Sequence, residues 1–125
     1  MCLISHSPPK ISDKPIKVYK IVERKWDGLH APFQKYYKYV KFPIIESNST
    51  CPPFQNREQY QYGYGFIHAF TTEESVKHEI KLLHSCPGSR MFEIYEGYIP
   101  ENTEYSYSQS GYEICARKII LEKMI

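Results

Sequence analysis

The sequence has no apolar run that approaches the roughly 18 residues needed to span a membrane as a helix. Its first residues also lack the basic start and apolar stretch of a secretion signal, so we expect the protein to stay in the cytosol. The 125 residues are 42% hydrophobic and 24% charged, which is typical of one globular domain that can bury its own core. We therefore expect a single domain over residues 1–125 without a membrane partner.

Signatures of metal binding and of nucleophilic catalysis are missing as well. The four cysteines and five histidines are scattered, and no Cys-x-x-Cys pair occurs, which disfavours a zinc site. The sequence contains no Gly-x-Ser-x-Gly elbow and neither of the two common glycine-rich phosphate loops. We therefore expect no metal, no cofactor and no catalytic residue.

Strong net charge is a further absence. The formal net charge is only +2, which is weak for a protein that binds DNA or RNA polymers. The distribution is nevertheless uneven, since residues 1–60 hold ten Lys and Arg against five Asp and Glu, and residues 61–125 hold six against nine. This split suits a local anion site, two complementary faces in an oligomer, or simply a solvated basic face.

Tyrosine is the residue type present in excess. The chain has 12 tyrosines, and they cluster at positions 36–39, 60–64 and 105–107. Tyrosine favours half-buried β-sheet surfaces, which explains most of these positions. The same side chain also stacks on bases and is enriched at subunit interfaces, so the excess is consistent with a homo-oligomer.

Hydrophobic periodicity predicts an α+β fold, with an antiparallel β-sheet packed by one main α-helix. Proline makes residues 1–14 an extended N-terminal arm, and three prolines without periodicity make residues 43–59 a long loop. Strands are predicted over residues 16–22, 36–42, 60–70, 91–99, 103–107 and 113–121.

The helix is predicted over residues 72–85. Thr71-Thr72-Glu73-Glu74 has the composition of a capping box, and Pro87-Gly88 stops the helix. Val76, Ile80 and Leu83 follow at i, i+4 and i+7, so they form one apolar stripe. We expect this stripe to be buried against the sheet.

Polar and aromatic residues gather at the ends of the late predicted strands, where side chains from several strands can converge. They are Arg90, Asn102, Tyr105, Tyr112 and Arg117. Arg117 interrupts an apolar run, where a guanidinium is rarely buried without an anionic partner. An arginine fork on a phosphate, with an aromatic ring on a base, is the usual chemistry of nucleotide capture. An ordinary salt bridge and an outward-facing strand position are the alternatives for Arg117.

Three stretches together resemble a known family. They are Met1-Cys-Leu-Ile4 through Ile16-Lys-Val-Tyr-Lys-Ile-Val22, Gly65-Phe-Ile-His-Ala-Phe-Thr-Thr-Glu-Glu74, and Ile99-Pro-Glu-Asn-Thr-Glu-Tyr105 running to Cys115-Ala-Arg-Lys-Ile-Ile120. This pattern is similar to that of small phage proteins and, among them, to the first type of Thoeris anti-defence protein. The resemblance covers most of the chain apart from residues 43–59.

The resemblance implies a sponge in the host cytoplasm that is not an enzyme. Proteins of this family sequester intact cyclic ADP-ribose isomers made by bacterial TIR-domain immune enzymes, and some also bind cyclic oligonucleotides. It further implies a homo-oligomer built on dimers, with ligand contacts from an aromatic ring, an amide and arginines. By position these contacts fall on Phe92, Asn102 and Arg117, with Arg57 as a further candidate. A small ADP-ribosyl-handling enzyme and a phage protein that blocks a host protein are the two other functions considered.

Overall fold

The computed structural model describes residues 3–32, 39, 41–47, 49–63, 65–85, 88 and 90–125. These residues are mostly antiparallel β-sheet with one short helix, which confirms a β-rich α+β fold. No helix in this part of the chain is long and apolar enough to cross a membrane. The elements are β1 (Leu3–Ser5), β2 (Lys10–Ile11), β3 (Ile16–Lys25), β4 (Gly28–His30), β5 (Ile44–Glu46), β6 (Phe54–Asn56), β7 (Gln59–Tyr62), β8 (Ile67–Phe70), α1 (Glu73–His84), β9 (Met91–Ile99), β10 (Glu104–Tyr107), β11 (Glu113–Ala116) and β12 (Lys118–Met124).

The main sheet has the strand order β2-β10-β11-β8-β3-β9-β12-β5, and β4 also pairs with β3. Its centre is the long antiparallel pair of β3 and β9, which runs in register from Ile16 opposite Ile99 to Arg24 opposite Met91. A second, smaller sheet has the order β1-β7-β6. The extended arm predicted over residues 1–14 thus supplies one short strand to each sheet, β1 and β2.

The largest core lies on one side of the main sheet, which we call the inner face. It is defined by Val18 and Val22 of β3, Ile45 of β5 and Ile114 of β11, all buried in one cluster. Because successive side chains of a strand point to opposite faces, Ile16, Val18 and Val22 of β3 all face this core. The core of the inner face therefore contains apolar side chains from strands on both sides of β3 in the main sheet.

The opposite side of the main sheet, the outer face, is covered by two different elements. Val76 of α1 packs with Ile21 and Ile94, while Ile80 and Leu83 are partly buried at the same cluster. Next to them, Leu3 and Tyr62 of the small sheet pack on Cys115 of the main sheet. The small sheet is a covering layer that the sequence pattern did not predict.

The helix begins and ends close to the predicted positions. Thr72 is the N-cap, and its hydroxyl accepts from the Ser75 amide at 3.1 Å. Ser85 is the C-cap, and its amide donates to the Lys81 carbonyl. Acidic residues in the first turn and basic residues in the last turn complement the helix dipole.

Truncation of Val76 tests the packing of α1. Val76 is 0% exposed, so Val76→Ala is expected to lower the free energy of unfolding by roughly 1.5–3 kcal/mol through lost apolar burial. Leu82→Ala is the matched control on the same helix, because Leu82 is 50% exposed and should change stability much less. Chemical denaturation of both variants gives the comparison, and equal losses would contradict this packing.

Three predicted segments differ from the structure. Residues 43–59, predicted as a loop, contain β5 and β6. β5 pairs with the distant strand β12, and β6 pairs with the next strand, β7. The predicted strand 60–70 is two strands, β7 and β8, that belong to different sheets. The predicted strand 113–121 is divided at Arg117 into β11 and β12. Most of the strand predicted over 36–42 lies outside the described residues.

The physical reason is common to these differences. Strands of three or four residues show too few alternations for a periodic signal, and backbone pairing with distant segments stabilises them. A single apolar run can also form two strands that pair with different neighbours, although its composition shows no break. Local pattern therefore located the long elements but not the short ones.

Candidate functional site

Lys20 occupies a core position in the middle of β3. It lies on the same side of the strand as Val18 and Val22, which are 0% exposed and form part of the inner-face core. Lys20 itself is only 7% exposed. Among the lysines that the structure describes, it is the one that is buried. A cationic side chain is thus placed where the pattern of the strand calls for an apolar one.

The Lys20 ammonium has no hydrogen bond or ion pair in the described part of the chain. Burial lowers the pKa of Lys20 from 10.5 to about 8, and no neighbouring carboxylate offsets this effect. Two other cations of β3 are paired: Lys17 with Glu96 at 2.5 Å and Arg24 with Glu93 at 2.8 Å. The buried ammonium of Lys20 therefore lacks a counter-ion among the described residues, which is energetically costly.

Tyrosine rings accompany Lys20 on the inner face. Tyr95 lies directly opposite Lys20 in the β3–β9 register, and Tyr39 and Tyr105 belong to the same core region. The Tyr95 hydroxyl accepts from Arg24 at 3.2 Å and donates to Glu93 at 3.5 Å. Its polar end is therefore satisfied away from Lys20. Of these three tyrosines, Tyr95 is the one that the sheet register places beside the unpaired cation.

Arg117 is bound by the protein itself. Its guanidinium donates to the carbonyls of Ser49 at 3.1 Å and Gly65 at 2.9 Å, and also to the Cys51 carbonyl. Its Nε donates to the Glu104 carboxylate at 3.2 Å, and its Cζ atom lies 3.9 Å from the centre of the Phe66 ring.

The salt-bridge alternative for Arg117 is therefore present in the structure. All three guanidinium nitrogens have acceptors, and the side chain is only 17% exposed. A ligand phosphate would have to displace Glu104 or a carbonyl to reach this group. Phosphate binding by Arg117 stays a prediction that requires such a rearrangement.

The remaining predicted site residues lie in different places. Phe92 is partly buried at the outer-face cluster under α1, with the Arg90 guanidinium 4.8 Å from its ring centre. Tyr105 packs on the inner face. Its partner across the β10–β11 pair is Ala116, the residue before Arg117. Arg57 is exposed at the tip of the β6–β7 hairpin.

Two further predicted residues are in turns. Asn102 is exposed between β9 and β10 with a positive φ of 61°, a conformation that asparagine tolerates better than most residues. Its backbone N–H donates to the Ser12 carbonyl at 2.8 Å. Tyr112 is 61% exposed in the turn before β11. The six residues predicted as one binding site are therefore spread over both faces and several turns.

Cys115 and His68 form a neighbouring pair on β11 and β8. Burial raises the pKa of the Cys115 thiol to about 12, and burial lowers the pKa of His68 to about 4. A thiolate nucleophile with an imidazolium partner requires shifts in the opposite directions. This pair is thus not arranged for nucleophilic catalysis, and no group of three metal-ligating side chains occurs among the described residues.

Lys20 was missed by the sequence interpretation, although the signal was available. In Ile16-Lys-Val18-Tyr-Lys20-Ile-Val22, Lys20 has the same parity as Val18 and Val22. Alternation therefore places it on the buried side of the strand. A lysine at such a position is rare enough to mark a candidate site.

Comparison with known proteins gives no match: no protein-family model, no curated protein and no solved structure is detectably similar to this chain.

Proposed function

We propose that this protein is a sponge that captures an intact phosphate-bearing nucleotide of the cyclic ADP-ribose type. The observation that carries the proposal is the buried, unpaired ammonium of Lys20. A cation in this position is costly unless it loses its proton or an anion neutralises it. A ligand phosphate supplies that anion and is neutralised by the same contact.

The rest of the inner face fits the other half of such a ligand. Tyr95 lies beside Lys20 in the β3–β9 register, so one aromatic ring accompanies the cation. Capture by this arrangement depends only on binding energy and needs no nucleophile or base. In the proposal α1 is the main packing layer of the outer face, and the ligand phosphate contacts the inner-face core at Lys20. The sponge acts in the host cytoplasm as a homo-oligomer built on dimers and thereby blocks TIR-based immunity.

One observation favours a second function, a phage protein that blocks a host protein. Trp26 is 97% exposed at the tip of the β3–β4 hairpin. Tryptophan is enriched among the residues that contribute most to protein–protein binding, and a fully exposed one is unusual on a monomer. This alternative predicts binding without any small ligand.

Removal of the Lys20 charge tests the sponge. Calorimetric titration with a cyclic ADP-ribose isomer is expected to show at least about tenfold weaker binding for Lys20→Met than for the wild type, since a charge-assisted hydrogen bond contributes roughly 1.5–3 kcal/mol. Lys17→Met is the matched control on the same strand. The Lys17 side chain is 63% exposed and pairs with Glu96, so its loss should leave binding unchanged.

The state of the ligand separates the functions. After incubation, heating the protein should release the nucleotide chemically unchanged, whereas a small ADP-ribosyl-handling enzyme would return a product. A protein that leaves the nucleotide in solution supports the host-protein alternative through Trp26. Equal binding by the wild type and Lys20→Met contradicts the assignment of the site, and equal losses in the Lys17 and Lys20 variants indicate unspecific surface charge.

A further inference from the structure

We propose that one end of the main sheet binds reversibly to an anionic lipid surface. At this end, four apolar residues are each directly preceded in the chain by a cationic residue, and all of these residues are exposed. The pairs are Lys25-Trp26, Lys41-Phe42, Arg90-Met91 and Lys123-Met124, which we call the basic–apolar end. The contact is peripheral, so it goes beyond the expectation of no membrane partner, which rested on the lack of a spanning segment.

The topology of the main sheet brings the four pairs together. β3, β9, β12 and β5 are consecutive in the strand order, and each is antiparallel to the next. The carboxyl ends of β3 and β12 therefore lie beside the amino ends of β9 and β5. Trp26 follows β3, Met91 begins β9, Met124 ends β12 and Phe42 precedes β5. Four neighbouring strands span about 14 Å, so the four pairs share one footprint.

The apolar side chains of this end are strongly exposed to water. Trp26 is 97% exposed and Met91 is 63% exposed, and Phe42, Met124 and Ile125 are also exposed. Tryptophan and phenylalanine favour the boundary between lipid headgroups and acyl chains. Methionine is flexible and adapts to irregular surroundings. A lipid surface would therefore cover apolar area that the folded chain leaves in water.

Charge indicates which kind of surface fits this end. Arg90 and Lys123 are held in ion pairs with glutamates, whereas Lys25 and Lys41 have no ion pair in the described part of the chain. Two unpaired lysines beside exposed apolar side chains complement negatively charged headgroups. A symmetric contact with a second copy would bring the same lysines face to face, and a nucleic acid has no acyl layer for methionine side chains. Anionic lipid therefore fits better than either of these partners.

The fluorescence of Trp26 reports this contact directly, because the chain has only one tryptophan. Wild-type protein is titrated with phosphatidylcholine vesicles that contain phosphatidylserine, and with vesicles of phosphatidylcholine alone. We expect the emission to shift to the blue with the anionic vesicles only. Brominated acyl chains in those vesicles should quench the emission, since the proposed contact places the indole at the headgroup boundary. High salt should weaken the effect by screening the lysines.

Cosedimentation with the same vesicles tests the individual side chains. Trp26→Ala should bind at least about tenfold more weakly, because burial of so large an apolar side chain contributes more than a decade of affinity. Lys25→Gln and Lys41→Gln should each weaken binding about fivefold. Tyr112→Ala and Lys17→Gln are the matched controls and should bind normally. Both side chains are exposed, and they lie at the opposite end of the sheet, before β11 and near the start of β3.

Several results would overturn this proposal. The absence of a blue shift with anionic vesicles does so without any variant. Equal binding to neutral vesicles, or equal losses in the Trp26 and Tyr112 variants, shows that the assigned charge or side chain is wrong. A larger blue shift with polyglutamate than with anionic vesicles identifies an acidic protein as the partner instead. Because the contact uses neither Lys20 nor Arg117, Trp26→Ala should capture nucleotide normally, and the failure of one proposal leaves the other intact.

Discussion

Arg117→Ala is expected to lower the free energy of unfolding by roughly 3–4 kcal/mol. The variant removes the guanidinium hydrogen bonds to the Glu104 carboxylate and to the carbonyls of Ser49 and Gly65. It also removes the cation that stacks on Phe66. Because Arg117 ties the junction of β11 and β12 to two distant segments, its loss should loosen all of them together. Arg117→Lys should recover only the Glu104 pair, since a point charge cannot reach several acceptors in different directions.

Chemical denaturation and titration of the same variants decide the role of Arg117. Arg24→Ala is the control, because Arg24 forms a more exposed pair with Glu93, which solvent screens, and its loss should change stability much less. A large loss of stability with near-normal nucleotide binding identifies Arg117 as a structural residue. Unchanged stability with at least about tenfold weaker binding would contradict the structural role and support the phosphate contact predicted from the sequence.

Lys20→Met is expected to stabilise the unliganded protein by up to about 3 kcal/mol at pH 7, if the pKa difference is converted at about 1.4 kcal/mol per unit. The pKa of Lys20 falls from 10.5 to about 8 in the folded state. Below pH 8 the folded protein carries the full cost of the buried ammonium, and above pH 10.5 both states are neutral and the cost is gone. The contribution of Lys20 to wild-type stability should therefore become more favourable as the pH increases from about 8 to 10.5.

The difference between wild type and Lys20→Met isolates this contribution. Denaturation curves collected between pH 7 and 10.5 should converge as the pH rises, whereas those of wild type and Lys17→Met should not show this convergence. A bound anionic nucleotide should also reduce the gap at pH 7, because it neutralises the ammonium. A Lys20→Met variant that is less stable than the wild type at every pH would contradict an unpaired buried cation.

Elements whose signals are local could be predicted from the amino-acid sequence alone. Thr72 and the acidic first turn specify where α1 begins, because the cap is made by atoms three residues apart. The alternation in β3 specifies that Val18, Lys20 and Val22 share a face, because the side-chain period of a strand is two. The position of the candidate site was therefore contained in the sequence, although its importance was not recognised there.

The long-range contacts of these residues depend on the folded arrangement of the strands. Arg117 is bound by carbonyls of Ser49 and Gly65, which lie 68 and 52 residues away along the chain. β5 exists because it pairs with β12, and the small sheet exists because β1 reaches β7. Such pairings depend on long-range backbone hydrogen bonds and shared burial, which no local period encodes. For the same reason, the sequence placed Lys20 inside the core, but only the assembled sheet shows that no described carboxylate reaches it.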